Sequence, residues 1–339
     1  MTEIFAIKKV FKDFTKKVFV IAEIGVNHEG NIDKCIKLID SAHDAGADAI
    51  KIQTINPDEN YAKDTESFKI FSKSRLSNSD IERVFDYCGS KKIKIFSTIG
   101  DLKTLNHISN FNPYAFKISS GLLNNTPLIL EILKRKKPII ISTGMASQTD
   151  LRNLKLILTK KPVGVCVLHC ISMYPTPKNL LCMNYIRYLK KYFNCPIGYS
   201  DHTKDYLIPA YAVASGAVLI EKHFTFDSNR KGYDHNISFN KLKFEKMIRE
   251  IRKVEQILST NDLLKTKKEL RKANARYIVA NRNLREGQVI KYEHLGFKRI
   301  NLKNFSKKII EPSDYNLLLG KKLKKSVSVD QPIKKNDFF

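Results

Sequence analysis

The side chains able to do chemistry in this chain gather just behind short apolar runs. Glu23 lies near the end of VFVIAEI, Lys51 lies near the end of DAIKI with Gln53 just beyond, Ser97 and Thr98 end IKIFST, and Lys117, Ser119 and Ser120 end AFKISS. Ser142 and Thr143 close PIIIST, His169 ends VGVCVLH with Ser172 just beyond, Ser200, Asp201 and His202 end PIGYSDH, and Glu221, Lys222 and His223 end AVLIEKH. A lone carboxylate in a run of Val, Ile and Phe is costly, so Glu23 needs a partner or a task. Lysines among hydroxyls are what a phosphate-bearing anion requires, because fixed donors stabilise spread negative charge without reorganising. If His202 and His223 end neighbouring strands, their side chains start about 5 Å apart and can meet at one ion. Two imidazoles leave coordination positions open, as in a catalytic metal site. A buried carboxylate opposite them would handle a proton or orient a substrate.

Each residue also has a plainer reading. A strand-end Ser or Thr often caps a helix or forms a turn, Lys51 can snorkel to solvent, and Glu221 or Lys222 can be half of an ion pair at the barrel bottom. The convergence of lysines, histidines, a Glu and several hydroxyls favours function over packing.

The elements that must position these groups alternate. Eight strand-like runs are separated by amphipathic stretches, the pattern of parallel βα units. The runs lie at 18–24, 48–52, 93–98, 115–119, 138–143, 163–169, 196–200 and 217–223. Among the helices, NIDKCIKLIDSAHDAG places Ile32, Ile36, Ile39 and Ala42 on one face and stops at Gly46, and SNSDIERVFDYCGS opens on a cap at Ser77. Eight units predict a closed (β/α)8 TIM barrel, whose chemistry sits on the rim at the carboxyl ends of the strands. No GxGxxG or GxxxxGK[ST] pattern opens a helix, which argues against a dinucleotide or P-loop fold. After about residue 240 a long charged helix and a polar segment follow, then β-rich pieces. The expected division is a catalytic barrel over 1–260, a linker over 261–276 and a small domain over 277–339.

The 60 Lys and Arg against 34 Asp and Glu give a net charge of +26, which taken alone suggests a polyanion partner. The basic residues are spread singly or in pairs, without an Arg-rich block or interleaved aromatics, so neither nucleic acid nor membrane is expected. Lysine comes with much Asn and Ile, as a bias toward A and T codons would produce. The six cysteines lack CxxC pairs and read as reduced thiols. The N-terminal stretch lacks a signal-peptide pattern, and IPAYAVASGAVLI is too short to span a bilayer, so a soluble, cytoplasmic protein is expected.

In order along the chain, IAEIGVNHEGN, AGADAIKIQT, KIFST, FKISSG, PIIISTGMAS, LHCISMYPTP, PIGYSDHT, AVLIEKHFT and GYDHNISF resemble the motifs of the sialic acid synthase family. Those enzymes condense phosphoenolpyruvate with an N-acetylated aminosugar to make a nonulosonic acid. The segment from Ala273, with NLREGQVIKYEHLGFKR, is similar to the family's C-terminal antifreeze-like (SAF) domain, which reaches the partner's active site in a swapped homodimer. The resemblance implies that His202 and His223 bind a divalent cation, usually manganese, with magnesium or cobalt as alternatives, which holds the sugar aldehyde oxygen as a Lewis acid. It implies that Lys51, Thr98, Lys117, Ser120, Ser142, Ser172 and Ser200 hold phosphoenolpyruvate. Glu23, Tyr174, Asp234 and, from the other subunit, Arg299 would contact N-acetylmannosamine or a related 2,4-diacetamido-6-deoxyhexose, with Glu23 handling a proton. The chain departs from the family pattern at Ile99 and Gly100 (STIG for STPF), Leu122 (SGL for SGE) and Tyr233 (GYDH for GPDH). These changes surround the sugar more than the phosphate. Other readings are a related phosphoenolpyruvate-dependent aldol-type synthase using a phosphorylated sugar, a catalytically silent carbohydrate- or anion-binding homologue, and a nucleic-acid binder.

Overall fold

A computed structural model describes residues 17–159, 164–259, 263–301 and 309–339. The parts of the expected domains that fall on residues 1–16, 160–163, 260–262 and 302–308 lie outside the described residues. Two compact units divide the chain between Leu258 and Ser259.

In the first unit eight parallel strands close a barrel in sequence order. They are β1 Phe19–Gly25, β2 Ala49–Gln53, β3 Ile95–Thr98, β4 Phe116–Ile118, β5 Ile139–Ser142, β6 Val165–His169, β7 Ile197–Asp201 and β8 Leu219–His223. The expected TIM barrel is therefore the observed fold. Side chains alternate across each strand, so one set fills the barrel and the other meets the helices. Phe19, Ile21, Ala49, Phe96, Ala115, Ile140, Cys166, Leu168 and Leu219 pack together inside. Their neighbours, such as Val20, Ile50, Phe116, Val167 and Ile220, join the layer between strands and helices.

The helices begin where the local chemistry dictates. Asn31 caps Ile32–Asp44 by accepting from the Lys34 amide, and Ser77 and Asp80 form a reciprocal capping box at the start of Asn78–Ser90. The first helix buries Cys35, Leu38, Ile39 and Ala42, a face rotated slightly from the expected one, with Ile36 at its margin. Helix Lys241–Leu258 closes the barrel, with Arg252 donating to the Val18 carbonyl at 2.9 Å and lying 3.5 Å from Asp48.

The second unit holds a helix, Leu263–Asn274, where a linker was expected. Beyond it β9 (Tyr277–Ala280) pairs antiparallel with β10 (Leu295–Lys298) over a separate core that includes Ile278, Leu284, Ile290, Leu323 and Ile333. Among the described residues no helix is long and apolar enough to cross a membrane, and all six cysteines are free.

Candidate active site

Register assembles the site. Glu23 stands opposite Lys51 on β2 and opposite His223 on β8. Thr98 stands opposite Gln53 and Lys117, and Ser200 opposite Glu221. Counting by two from the interior residues of each strand puts Glu23, Lys51, Thr98, Lys117, Ser142, Ser200, Glu221 and His223 on the inward face at the carboxyl end.

A buried charge cluster results. Lys51 Nζ pairs with Glu23 and lies 3.0 Å from Glu221 Oε2. Lys117 Nζ donates to Ser142 Oγ at 2.5 Å and to the Ile118 carbonyl at 2.9 Å, and lies 4.0 Å from Glu221 Oε1. Ser200 donates to Glu221 Oε1 at 3.0 Å. Burial pulls the Lys51 ammonium down to about 8, against the attraction of Glu221. Burial would raise the Glu221 carboxyl, yet Lys117 and Lys51 hold it below the usual carboxylate range. The cluster is incompletely bonded: Thr98 Oγ1, His223 Nδ1 and Glu23 Oε1 are buried without a hydrogen-bond partner. Buried polar atoms in this condition ask for an occupant.

Beside the lysines the loops add a hydroxyl cradle. Ser120 Oγ accepts from the Gly144 amide at 2.8 Å and lies 3.2 Å from Cys170 Sγ. A Cβ on Gly144 would sit 2.5 Å from Ser172 Oγ and 2.9 Å from Ser120 Oγ, so only glycine lets the two hydroxyls close on this spot.

The opposite side of the rim carries imidazoles and a carboxylate. The His202 and His223 ring centroids are 5.6 Å apart, and Tyr174 lies 4.3 Å from His202 and 6.4 Å from His223. His202 Nδ1 is 2.8 Å from the Ile171 carbonyl. A carbonyl only accepts, so that nitrogen carries the proton and Nε2 is left as the lone-pair nitrogen. Burial lowers His202 to about 4 and, with His202 and nearby lysines adding, holds His223 well below the ordinary histidine value. Neutral imidazoles are the form that binds a cation. Asp234 Oδ2 lies 3.5 Å from His223 Nδ1, and burial pushes its carboxyl up to about 6 against the pull of Lys51. Among the described residues no three or more His, Cys, Asp or Glu gather as a metal cage. The two neutral imidazoles, 5.6 Å apart at their centroids, are the donors on this side of the rim that could hold a cation.

The structure separates residues that the sequence grouped together. His169 faces the helices, bonded to the Leu181 carbonyl at 2.7 Å and packed by Tyr185 and Tyr199. Ser97 bonds Thr54, and Thr143 bonds the Leu168 carbonyl, also away from the interior. Lys222 and Asp201 pair at 2.7 Å with no exposure, on the outward face. Glu221 belongs to the inward cluster and has Lys51 and Ser200 for partners, where an ion pair at the barrel bottom was the plain expectation. Arg299 lies exposed in the second unit, just past β10.

The departures also have local accounts. Ile99 and Leu122 pack against the strand–helix core. A Cβ on Gly100 would lie 2.3 Å from Asn60 Oδ1. Tyr233 has φ 49°, which a proline, locked near about −65°, cannot adopt, so the backbone path into Asp234 differs from the GPDH pattern. Asn27 was not singled out from the sequence. It braces that loop, accepting from the Asp234 amide at 3.2 Å and donating to the Phe224 carbonyl and to Ser238, each at 2.9 Å. Its place two residues after a strand, between Gly25 and Gly30, was the available signal.

The NeuB family pattern matches residues 38–262 and the SAF domain pattern matches residues 275–338. An uncharacterized protein of Methanocaldococcus jannaschii is 36% identical over 93% of each chain. Pseudaminic acid synthase of Campylobacter jejuni is 32% identical over 95% of this chain and 97% of its own. The crystal structure of an N-acetylneuraminic acid (sialic acid) synthetase from Leptospira borgpetersenii, in complex with citrate, superimposes with a TM-score of 0.71 at 32% identity, covering 76% of this chain and 92% of that one.

Proposed function

The chain belongs to the NeuB family, and from that premise we propose that it condenses phosphoenolpyruvate with an N-acylated aminosugar to give a nonulosonic acid and phosphate. The observation that carries this reading is the inward cluster, in which two buried lysines and a cradle of hydroxyls stand beside two neutral imidazoles. Lys51, Thr98, Lys117, Ser120, Ser142, Ser172 and Ser200 hold the phosphate and carboxylate of phosphoenolpyruvate. Glu23, Tyr174 and Asp234 contact the sugar, and Arg299 of the partner subunit, in a swapped homodimer, reaches its N-acyl group.

The methylene carbon of phosphoenolpyruvate forms a bond to the aldehyde carbon while the enol double bond is consumed and the aldehyde π pair moves to its oxygen, which takes up the proton that the attacking water gives up. Water adds to the electron-poor carbon that results, losing a proton, and phosphate leaves as its carbon–oxygen bond breaks. Lys51 and Lys117 hold the negative charge of the phosphate throughout. Glu23, positioned by Lys51, is the base for a proton of water or of a sugar hydroxyl. His202 and His223 would hold a divalent cation, manganese in the first instance, which supplies Lewis-acid polarisation of the aldehyde oxygen. Phosphoenolpyruvate is a cytoplasmic metabolite, and the reading implies the same compartment for the protein. One relative is named for pseudaminic acid and one for N-acetylneuraminic acid, so the sugar is a matter for assay.

The test is phosphate release from phosphoenolpyruvate with manganese against N-acetylmannosamine, its 6-phosphate and 2,4-diacetamido-6-deoxyhexoses. Release with one sugar, abolished by chelator and by His223→Ala, supports the synthase and identifies its substrate. Binding of phosphoenolpyruvate without release for any sugar would reduce the reading to an anion-binding homologue.

A further inference from the structure

His202 stands just past the end of β7 and His223 ends β8, and one buried side chain ties those strands together at that level. Lys222 precedes His223 on β8 and points the other way, into the layer beneath the helices. Its ammonium lies 2.7 Å from Asp201 Oδ2 and donates to the Asp201 carbonyl at 3.2 Å and to the Thr203 carbonyl at 2.5 Å. Those three acceptors use all three of its protons. Its ammonium also sits 4.1 Å from the centre of the Phe239 ring.

The two carbonyls that Lys222 holds flank His202 in the chain. The His202 carbonyl between them accepts from the Thr176 amide at 3.1 Å, and its ring is held by Ile171 as described above. Asp201 is saturated as well: Oδ1 accepts from Tyr199 Oη at 3.2 Å and from the Thr203 amide at 3.1 Å, and Oδ2 accepts from Thr203 Oγ1 at 3.2 Å. Lys222 and Asp201 have no exposure at all. A fully dry ion pair returns little net stability over an apolar pair of the same size. Its geometric effect is specific, however: it joins the peptide units on either side of one imidazole to the residue next to the other.

We infer that the Asp201–Lys222 pair is a positioning device that sets the separation and aim of His202 and His223, and so the affinity of the rim for a divalent cation. Neither residue touches the reacting atoms. The inference rests on the proposed reading of His202 and His223 as the cation-holding pair.

The test uses the full-length protein and manganese alone as the probe. Asp201→Asn/Lys222→Met removes both charges together and leaves no buried ion stranded. Calorimetric titration should show manganese affinity reduced about 10- to 100-fold with phosphoenolpyruvate affinity unchanged, and kcat at limiting manganese should fall while KM for phosphoenolpyruvate holds. Tyr199→Phe removes a single donor to Asp201 at conserved volume, and should lower manganese affinity about two- to tenfold even if the double variant folds poorly. Manganese affinity equal to wild type in Tyr199→Phe, or in a folded double variant, would overturn the inference. So would parallel loss of phosphoenolpyruvate binding, the mark of a merely structural role. Failure of the wild-type protein itself to bind manganese would sink the underlying reading first and this inference with it, and that outcome is visible before any variant is made.

Discussion

Two buried charge clusters lie back to back across the strands at the rim, and they differ in how completely their bonds are made. On the outward face Lys222 and Asp201 have every proton and lone pair of consequence engaged. On the inward face Lys51, Glu23, Glu221 and Lys117 balance in charge, yet Thr98, His223 and Glu23 keep buried atoms without hydrogen bonds. A saturated cluster has nothing left to offer a ligand and serves architecture. An unsaturated one is stable only because the surrounding barrel enforces it, and it gains most when an occupant arrives.

Breaking one partner on each side should separate the two roles. Lys222→Met leaves Asp201 buried and unpaired and should cost about 3–5 kcal/mol of unfolding free energy, read by urea denaturation; a loss near zero would make the outward pair dispensable. Lys117→Met leaves Glu221 with Lys51 as a partner, so its stability cost should be smaller than that of Lys222→Met, while kcat/KM for phosphoenolpyruvate falls on the order of 10²- to 10³-fold. Equal damage to stability and activity in both variants would erase the distinction.

Titration sharpens the same contrast. Lys51 has its pKa lowered to about 8 by burial, so its cationic form, the one that binds an anion, is present below that pH and lost above it. The kcat/KM for phosphoenolpyruvate should therefore fall about tenfold per pH unit on the alkaline side of an apparent pKa near 8, and a profile flat to pH 9.5 would contradict the assignment. The smallest effect concerns the hydroxyl cradle. Gly144→Ala brings a methyl against Ser172, Cys170 and Ser120, and should raise KM for phosphoenolpyruvate about fivefold, one hydrogen bond's worth, without changing manganese affinity.

The barrel was legible because eight apolar runs alternate with capped amphipathic helices, and a pattern of that kind has few solutions. The inward cluster was also legible, since Lys51, Thr98, Lys117, Ser142 and Ser200 all fall on one parity of their strands. What the sequence blurred was facing. Asp201, Lys222, His169, Ser97 and Thr143 stand one residue from inward neighbours, and a shift of one residue in a strand moves a side chain to the other face. Glu221 was undervalued for that reason: beside Lys222 it resembled half of a local pair, while register gave it Lys51 and Ser200. The second unit was read as β-rich, but the helix Leu263–Asn274 was missed because its lysine-rich sequence has little apolar face to betray it.

The most direct test of the contrast is calorimetric titration of phosphoenolpyruvate into the wild-type protein, Lys117→Met and Asp201→Asn/Lys222→Met side by side. Phosphoenolpyruvate should bind the wild-type protein, bind Lys117→Met on the order of 10²-fold more weakly, and bind the double variant with unchanged affinity. Unweakened binding in Lys117→Met, or binding abolished only in the double variant, would contradict that contrast.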